Sequence, residues 1–281
     1  QTAQELVIEN HAQHLKALGH RYGFGLSIEP YDMNPCSDLS LGAVADVPMC
    51  EFWWLGFDTA YSVIEAASLA HTGGRPVVGA EAFTSQPGED WRAYPENMKS
   101  LGDWAFAAGV NRITFHRYQH QPWLDRFPGM RMRSYGVHWE RTQTWWPMVE
   151  AYHTYLSRCQ YLLRQGVAVA DILFLAPEGA PHVFRAPPSA TEGNPPDRRG
   201  YNFDGCAPET LLELARVSEE DAMRWVVATA QEAAEFREEA AAARESIEQA
   251  RAASRVATLV TSASSSAVVR RTTVHPPVAS T

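Results

Sequence analysis

The chain has 281 residues, and 45% of them are apolar, which suffices for a substantial hydrophobic core. Acidic residues outnumber basic residues by 33 to 24, which gives a formal net charge of −9. This charge argues against nucleic acids and anionic membranes as partners, because both repel an acidic surface. No stretch reaches the roughly 20 continuous apolar residues of a membrane-spanning helix. A neutral, hydroxyl-rich ligand is therefore expected.

The predicted elements alternate between helix and strand as far as residue 176. Helices are expected over residues 2–18, 58–72, 95–108 and 147–163, with Asp58 as a cap, Pro95 and Pro147 in first turns, and Gly19, Gly73, Gly109 and Gly166 as stops. Apolar runs predict strands that end at Glu29, Glu51, Glu81 and His116, and a fifth strand over residues 170–176.

The first four strands recur at roughly 25 to 35 residues, which is typical of βα units in a parallel sheet or barrel. A complete barrel of eight units takes about 250 residues, and only about four units are visible. We therefore predict an α/β fold over residues 1–166, with about four βα units of a parallel sheet or of a partial (β/α)8 barrel. The carboxyl ends of such strands face one site, so Glu29, Glu51, Glu81 and His116 are expected to converge.

The chain changes character after residue 166. Residues 167–217 are expected to begin a second α/β domain, with a loop rich in proline and glycine at 177–204 and a short helix from Pro208. Residues 218–256 are rich in Ala, Glu and Arg and predict one long polar helix. The Ser, Thr, Val and Ala tail at 257–281 has no periodicity and is expected to be disordered.

The strand-end carboxylates are the leading candidates for chemistry, and Glu81 is the first among them. A carboxylate after a buried strand is costly to desolvate unless it faces a cavity with partners, and Gly79 and Ala80 leave room for a ligand. Glu29 suits either ligand binding or loop structure. Glu51 precedes Phe52 and Trp53, which suits either a carboxylate with a raised pKa against an aromatic wall or a buried ion pair.

Histidines and tryptophans supply the other candidates. His116 and His120 are four residues apart, but on a strand and loop this spacing does not suit a metal, and a third ligand is missing. We expect His116 to bind substrate hydroxyls, His120 and Trp123 to form a pocket rim, and Glu140 to make an ion pair or cap. Nine tryptophans suit either a core or a sugar pocket, and those predicted to contact substrate are Trp53, Trp123 and Trp145.

The four cysteines and the absent motifs exclude several classes. Cys36, Cys50, Cys159 and Cys206 lack Cys-x-x-Cys spacing, so we predict unpaired thiols and no zinc site. The sequence has no Gly-x-Ser-x-Gly, phosphate-loop or Gly-x-Gly-x-x-Gly motif, so serine hydrolase, phosphoryl-transfer and dinucleotide chemistry lack support. The residues themselves require no cofactor.

Longer motifs resemble the α-L-rhamnosidases of glycoside hydrolase family 106. They are the segments 77–85, 111–116 and 120–123, followed by 128–130, 135–141, 144–146 and 155–163. The resemblance implies that the Glu81 and His116 strands are the seventh and eighth of a (β/α)8 barrel. It further implies that Glu81 is the general base of an inverting hydrolysis of rhamnose-containing glycans, and that a calcium ion contacts the sugar, through ligands that the sequence does not place.

The resemblance also implies that the general acid lies upstream of Gln1, because the first half of the barrel is not visible. A truncated or frame-shifted gene product, with little or no activity of its own, would explain this and the unusual composition after Val217. Gln1 either follows a removed leader or lies within a longer protein, so targeting is not read, although a periplasmic or secreted parent is expected.

Three alternatives stay open. One is another barrel glycosidase, β-galactosidase-like and retaining, with Glu81 as nucleophile. A second is a non-catalytic carbohydrate-binding protein in which tryptophans stack on sugar and the glutamates bind hydroxyls. The third is a helical interaction module over residues 219–255.

Overall fold

A four-stranded parallel sheet in the order β1-β2-β3-β4 organises the first part of the chain. The structure is a computed structural model, and it describes residues 2–130, 135–214 and 268–270. The strands are β1 (Ser27–Ile28), β2 (Val47–Leu55), β3 (Gly79–Ser85) and β4 (Arg112–Phe115). Each joins its neighbour through a crossover connection, so all carboxyl ends lie at one edge of the sheet.

Helices precede β1, fill the crossovers between the strands and follow β4. They are α1 (Thr2–Val7), a π-helical segment (Ile8–Gln13), α2 (His14–Arg21), α3 (Asp38–Gly42), α4 (Tyr61–Thr72), α5 (Pro95–Ala108), a 3₁₀ turn (Trp146–Met148) and α6 (Val149–Leu163). The predicted bounds of α5 are confirmed, because Pro95 favours a first turn and Gly109, at φ 124°, ends the helix.

One face of the sheet packs against the helices and forms the main core. Cys50, Phe52, Ala80 and Ala82 point to this side and are fully buried. They pack with residues of α4, α5 and α6, of which Val63, Met98 and Leu156 are examples. The small alanines of β3 let the helices approach closely. The opposite face of the sheet is only partly covered within the described residues.

A second sheet packs against the far side of α4. Its strands are β5 (Ile172–Leu175), β8 (Phe203–Cys206) and β9 (Val268–Arg270), in the order β8-β5-β9. A short hairpin, β6 (Thr191–Glu192) and β7 (Asp197–Arg198), precedes β8, and α7 (Pro208–Leu214) follows it. His71 Nδ1 on α4 lies 2.9 Å from the Asp204 carboxylate, which joins the second sheet to the first.

Several predicted elements differ from the structure. Asp58 does not cap α4, whose N-cap is Ala60. Gly19 does not end the first helical stretch, which runs to Arg21, and the first strand is only two residues long. The interval 177–204, predicted as loop, contains β6, β7 and the start of β8.

The largest difference concerns the strands that carry the candidate carboxylates. β2 and β3 both continue four residues past Glu51 and Glu81, so neither glutamate ends its strand. A register irregularity near Phe83, at φ 61°, allows Thr84 and Ser85 to keep pairing with Trp53 and Leu55.

The predicted C-terminal elements are only partly described. β9 lies in the tail that was expected to be disordered and pairs antiparallel with β5, so that expectation is wrong for those three residues. The long helix predicted at 218–256 lies outside the described residues. No helix in the described ranges is long and apolar enough to cross a membrane.

Candidate active site

Three glutamates lie on the partly open face of the sheet. Side chains alternate along a strand, and Glu51 is the register partner of Glu81 on the neighbouring strand. Glu29 follows β1 directly and continues its alternation onto the same side. Within the sheet, this face is completed by residues such as Met49, Gly79 and Thr114. The three carboxylates therefore share one face of the sheet, where Glu29 follows its strand and Glu51 and Glu81 lie within theirs.

Glu81 is oriented by hydrogen bonding from its own strand. Thr84 Oγ1 donates to Glu81 Oε1 at 2.8 Å, and His116 Nδ1 lies 3.9 Å from the same oxygen. The Glu81 side chain keeps 29% of its surface accessible, so a ligand can reach it. The register irregularity explains the first contact, because it brings Thr84 toward Glu81.

The three carboxylates interact electrostatically. Burial, followed by the charges of Glu81 and Glu51, raises the pKa of Glu29 from 4.5 to about 7. Burial also raises the pKa of Glu51; the charge of Glu81 adds to this rise, and the nearby Trp53 and Tyr31 oppose it. Burial, and after it the like charges on this face, thus favour a protonated carboxyl group at Glu29 near neutral pH.

Tyr31 is a site residue that sequence analysis missed. Its hydroxyl donates to Glu29 Oε2 at 3.3 Å. Burial and the charges of Glu29, Glu51 and Glu81 raise the pKa of Tyr31, so the phenol stays a donor. The sequence feature that could have identified Tyr31 is its position two residues after Glu29, in a loop that contains a proline.

Trp53 lies on the same strand face as Glu51, two residues further along β2. Its ring meets Phe57 edge-on at 5.0 Å and Tyr135 at 6.4 Å between ring centroids. These aromatic residues form a wall at the carboxyl edge of the sheet, beyond the glutamates.

His116 is held beside Glu81 by a close backbone approach. Gly136, at φ 86°, leaves no room for a Cβ, which would lie 2.6 Å from His116 Nδ1. The Val137 N–H donates to the His116 carbonyl at 2.9 Å. Burial lowers the pKa of His116. The negative charge of Glu81 raises this pKa, and the positive charge of Arg117 lowers it. A neutral imidazole is therefore favoured at neutral pH.

The remaining predicted substrate contacts lie elsewhere. His120 and Trp123 are exposed on the segment between β4 and α6, and the Trp123 ring faces Arg126 at 5.0 Å. Trp145 packs against Trp139, 4.8 Å between centroids, on the helix side of the sheet. The structure does not bring these three residues together with Glu81.

Glu140 is fully buried and holds the segment after β4 in place. Gln121 Nε2 donates to Glu140 Oε2 at 2.7 Å, and the backbone N–H and hydroxyl of Thr142 donate to the same carboxylate. Of the two roles expected for Glu140, the ion pair is not formed among the described residues, and acceptance of the Thr142 N–H corresponds to the cap.

A calcium ion finds no evident site in the described part of the chain. No group of three or more His, Cys, Asp or Glu side chains there is arranged to hold a metal ion. Calcium is also bound by backbone carbonyls, amide oxygens and water, so the ion that the resemblance implies stays a prediction, and no chemical step below is routed through it.

Comparison with protein families gives a match to the glycoside hydrolase 106 model, described as alpha-L-rhamnosidase, over residues 1–233. The chain belongs to this family. The family resemblance read from the sequence motifs is confirmed.

Two relatives show how much of a family member's length this chain covers. A Formosa agariphila protein named "Putative beta-glucuronidase" is 36% identical over 213 residues, which cover 76% of this chain and 18% of that protein. The solved rhamnosidase from Novosphingobium sp. PP1Y shares the fold with a TM-score of 0.66 at 23% identity, covering 76% of this chain and 21% of the other. The family member described here thus spans about a fifth of each relative's length.

Proposed function

We propose that this chain supplies part of the active site of a glycoside hydrolase that cleaves terminal α-L-rhamnosides with inversion. The observation that carries the proposal is the set of three electrostatically coupled glutamates on one open sheet face. Family membership supports the reaction class. In this proposal the sheet belongs to a (β/α)8 barrel, with β3 and β4 as its seventh and eighth strands.

Glu81 is the water-activating base in this mechanism. Its carboxylate is accessible, is fixed by Thr84 and lies next to His116. Inverting hydrolysis requires a second carboxyl group, about 6.5 to 9.5 Å away, that protonates the leaving oxygen. His116 in its neutral form binds a substrate hydroxyl and adds no competing positive charge.

The proton donor has two candidate locations. The family resemblance places it upstream of Gln1. A specific observation favours Glu29 instead, because its pKa of about 7 keeps it protonated near neutrality. Two strand spacings and a two-residue offset along the strands, together roughly 12 Å, separate the Glu29 and Glu81 backbones, and glutamate side chains that lean toward each other reduce this to a water-sized gap between the carboxyl groups.

A retaining mechanism is the alternative that the same face allows. Glu51 and Glu81 are register partners one strand spacing apart, about 4.8 Å, and retaining enzymes place their carboxyl groups about 5 to 5.5 Å apart. The anomeric form of the first sugar released separates the two mechanisms, since inversion gives β-L-rhamnose and retention gives α-L-rhamnose.

Hydrolysis of an aryl α-L-rhamnoside tests the proposal. The assay compares this chain, and any longer gene product that contains it, with the Glu81→Gln and Glu29→Gln variants of each. Loss of turnover in Glu81→Gln supports the base assignment, and loss in Glu29→Gln places the donor inside the chain. Turnover that is unchanged in Glu81→Gln would refute the assignment of Glu81 as the general base. Absence of hydrolysis even in the unsubstituted chain and in a longer gene product, together with sugar binding that survives Glu81→Gln, supports a non-catalytic binding protein instead.

A further inference from the structure

The connection between β3 and α5 presents one tryptophan in a constrained position. Asp90 and Trp91 both adopt positive φ, 47° and 65°, a conformation that residues other than glycine avoid. Such a backbone persists only where its surroundings hold it. The Trp91 side chain is nevertheless 40% exposed.

A buried ion pair holds this backbone. Glu89 accepts the Trp91 N–H at 3.0 Å, the Ala93 N–H at 2.9 Å and a bond from His138 Nδ1 at 2.7 Å. The Trp91 ring stacks on the His138 imidazole, 3.8 Å between centroids and 19° between planes. Two buried side chains, Glu89 and His138, therefore hold an exposed indole in a fixed position.

The exposed indole borders a cavity of about 600 Å³. Its lining residues are Trp91, Leu124, Phe127, Arg141 and Thr142. The cavity opens widely to solvent, and its volume is comparable with that of small-molecule sites, roughly 300 to 1,000 Å³. Arg141 is the one charged side chain among them and, within the described residues, makes no ion pair.

The cavity lies beyond the carboxyl edge of the sheet whose open face carries the glutamates. Its walls come from the segments that directly follow β3 and β4. The Gly136 N–H donates to the Ser85 carbonyl at 2.8 Å, which ties these two segments together beside His116. A glycan in the proposed active site would extend along this edge.

We propose that the cavity between Trp91, Phe127 and Arg141 binds an acidic sugar unit, one that carries a carboxylate or a sulfate ester. Aromatic rings stack on the C–H face of a sugar, and the Arg141 guanidinium binds either anionic group through paired hydrogen bonds. The assignment of this unit to the leaving-group side of the glycosidic bond rests on the proposed function, whereas the binding itself does not.

Isothermal titration calorimetry of the chain tests the site. The probes are methyl β-D-glucuronide for the carboxylate, glucose 6-sulfate for the sulfate ester and methyl β-D-glucoside as the neutral reference. We expect at least one acidic probe to bind roughly fivefold tighter than the neutral one, equivalent to about 1 kcal/mol. The preference should decrease at 0.5 M salt. The tighter acidic probe identifies the anionic group.

Variants separate the roles of the lining residues. Arg141→Gln should remove the preference for the acidic probe, and Trp91→Ala should weaken all three probes, whereas Trp91→Phe should retain most of the affinity. Arg158→Gln is the matched control, because Arg158 is an exposed arginine beside a hollow of about 640 Å³ along α6. Circular dichroism verifies that each variant is folded.

Several outcomes would overturn the proposal. They are the absence of measurable binding of either acidic probe, equal affinity for the neutral probe, and a preference that survives Arg141→Gln. Glu81→Gln keeps the two proposals distinguishable, because it should abolish hydrolysis and leave the affinity for the probes unchanged. A failure of hydrolysis alone therefore does not affect the cavity assignment.

Discussion

Replacing Glu89 by Gln should destabilise the fold by about 3 kcal/mol. The Glu89 and His138 side chains are 2% and 7% exposed and lie 2.7 Å apart. Removing one partner of a buried ion pair costs about 3 to 5 kcal/mol, because the other charge stays buried and unpaired. The glutamine amide retains the shape of the Glu89 side chain and one acceptor oxygen, so we expect a cost near the lower end of this range of free energies. Typical domains unfold with only about 5 to 15 kcal/mol, so the loss is large.

The pH dependence of this destabilisation has a defined sign. Burial alone would raise the pKa of Glu89, but the bonds from His138, Ala93 and Trp91 outweigh it and hold the pKa below 4.5. A carboxylate with a lowered folded-state pKa stabilises above its unfolded pKa, and this contribution is lost as the pH falls through the folded pKa. The difference between wild type and Glu89→Gln should therefore shrink on acidification from pH 7 to pH 3.

Urea unfolding followed by tryptophan fluorescence measures both effects. Asp90→Asn is the control, because Asp90 is the exposed neighbour and asparagine tolerates positive φ well, so its free energy of unfolding should change by less than about 0.5 kcal/mol. A cost below about 1 kcal/mol for Glu89→Gln, or a cost that does not change with pH, would refute the assigned ion pair. The same variant should weaken binding of the acidic sugar at Trp91.

Three further predictions concern the glutamate face. NMR titration of the carboxyl groups should give Glu29 a pKa of about 7, and Glu81→Gln should lower this pKa. Because the folded-state pKa of Glu29 exceeds 4.5, the free energy of unfolding should fall as the pH rises from about 4.5 to 7. Glu29→Gln should raise the free energy of unfolding by about 1 kcal/mol at pH 8, after allowance for solvent screening. Gly136→Ala should cost roughly 1 to 3 kcal/mol in urea unfolding and shift the His116 ring resonances; an unshifted ring contradicts the close approach. Thr84→Val should lower kcat and leave the unfolding midpoint within error, whereas an unchanged kcat refutes its orienting role.

The sequence predicted the alternation of strands and helices well, because its signals are local. Pro95 and Gly109 delimit α5, and the apolar runs before Glu51 and Glu81 mark buried strands. The strand ends were missed, because continued pairing beyond Glu81 depends on an irregular register with β2 that no local pattern records. The hairpin strands β6 and β7 and the strand β8 were missed for a different reason, because two to four residues carry little periodicity.

The candidate site was predictable in its glutamates and not in their environment. Strand polarity alone placed Glu29, Glu51 and Glu81 together. Tyr31 and Thr84 act through side-chain directions that depend on loop and register geometry. Trp145 illustrates the limit of composition, because a tryptophan beside polar residues also serves the core, where it packs on Trp139.

The stereochemistry of rhamnoside hydrolysis tests the central claim most directly. Proton NMR during cleavage of an aryl α-L-rhamnoside, by the chain or by a longer gene product that contains it, identifies the first anomer released. We expect β-L-rhamnose from the wild type and no product from Glu81→Gln under the same conditions. Release of α-L-rhamnose, or undiminished product from Glu81→Gln, would contradict the assignment of Glu81 as the water-activating base.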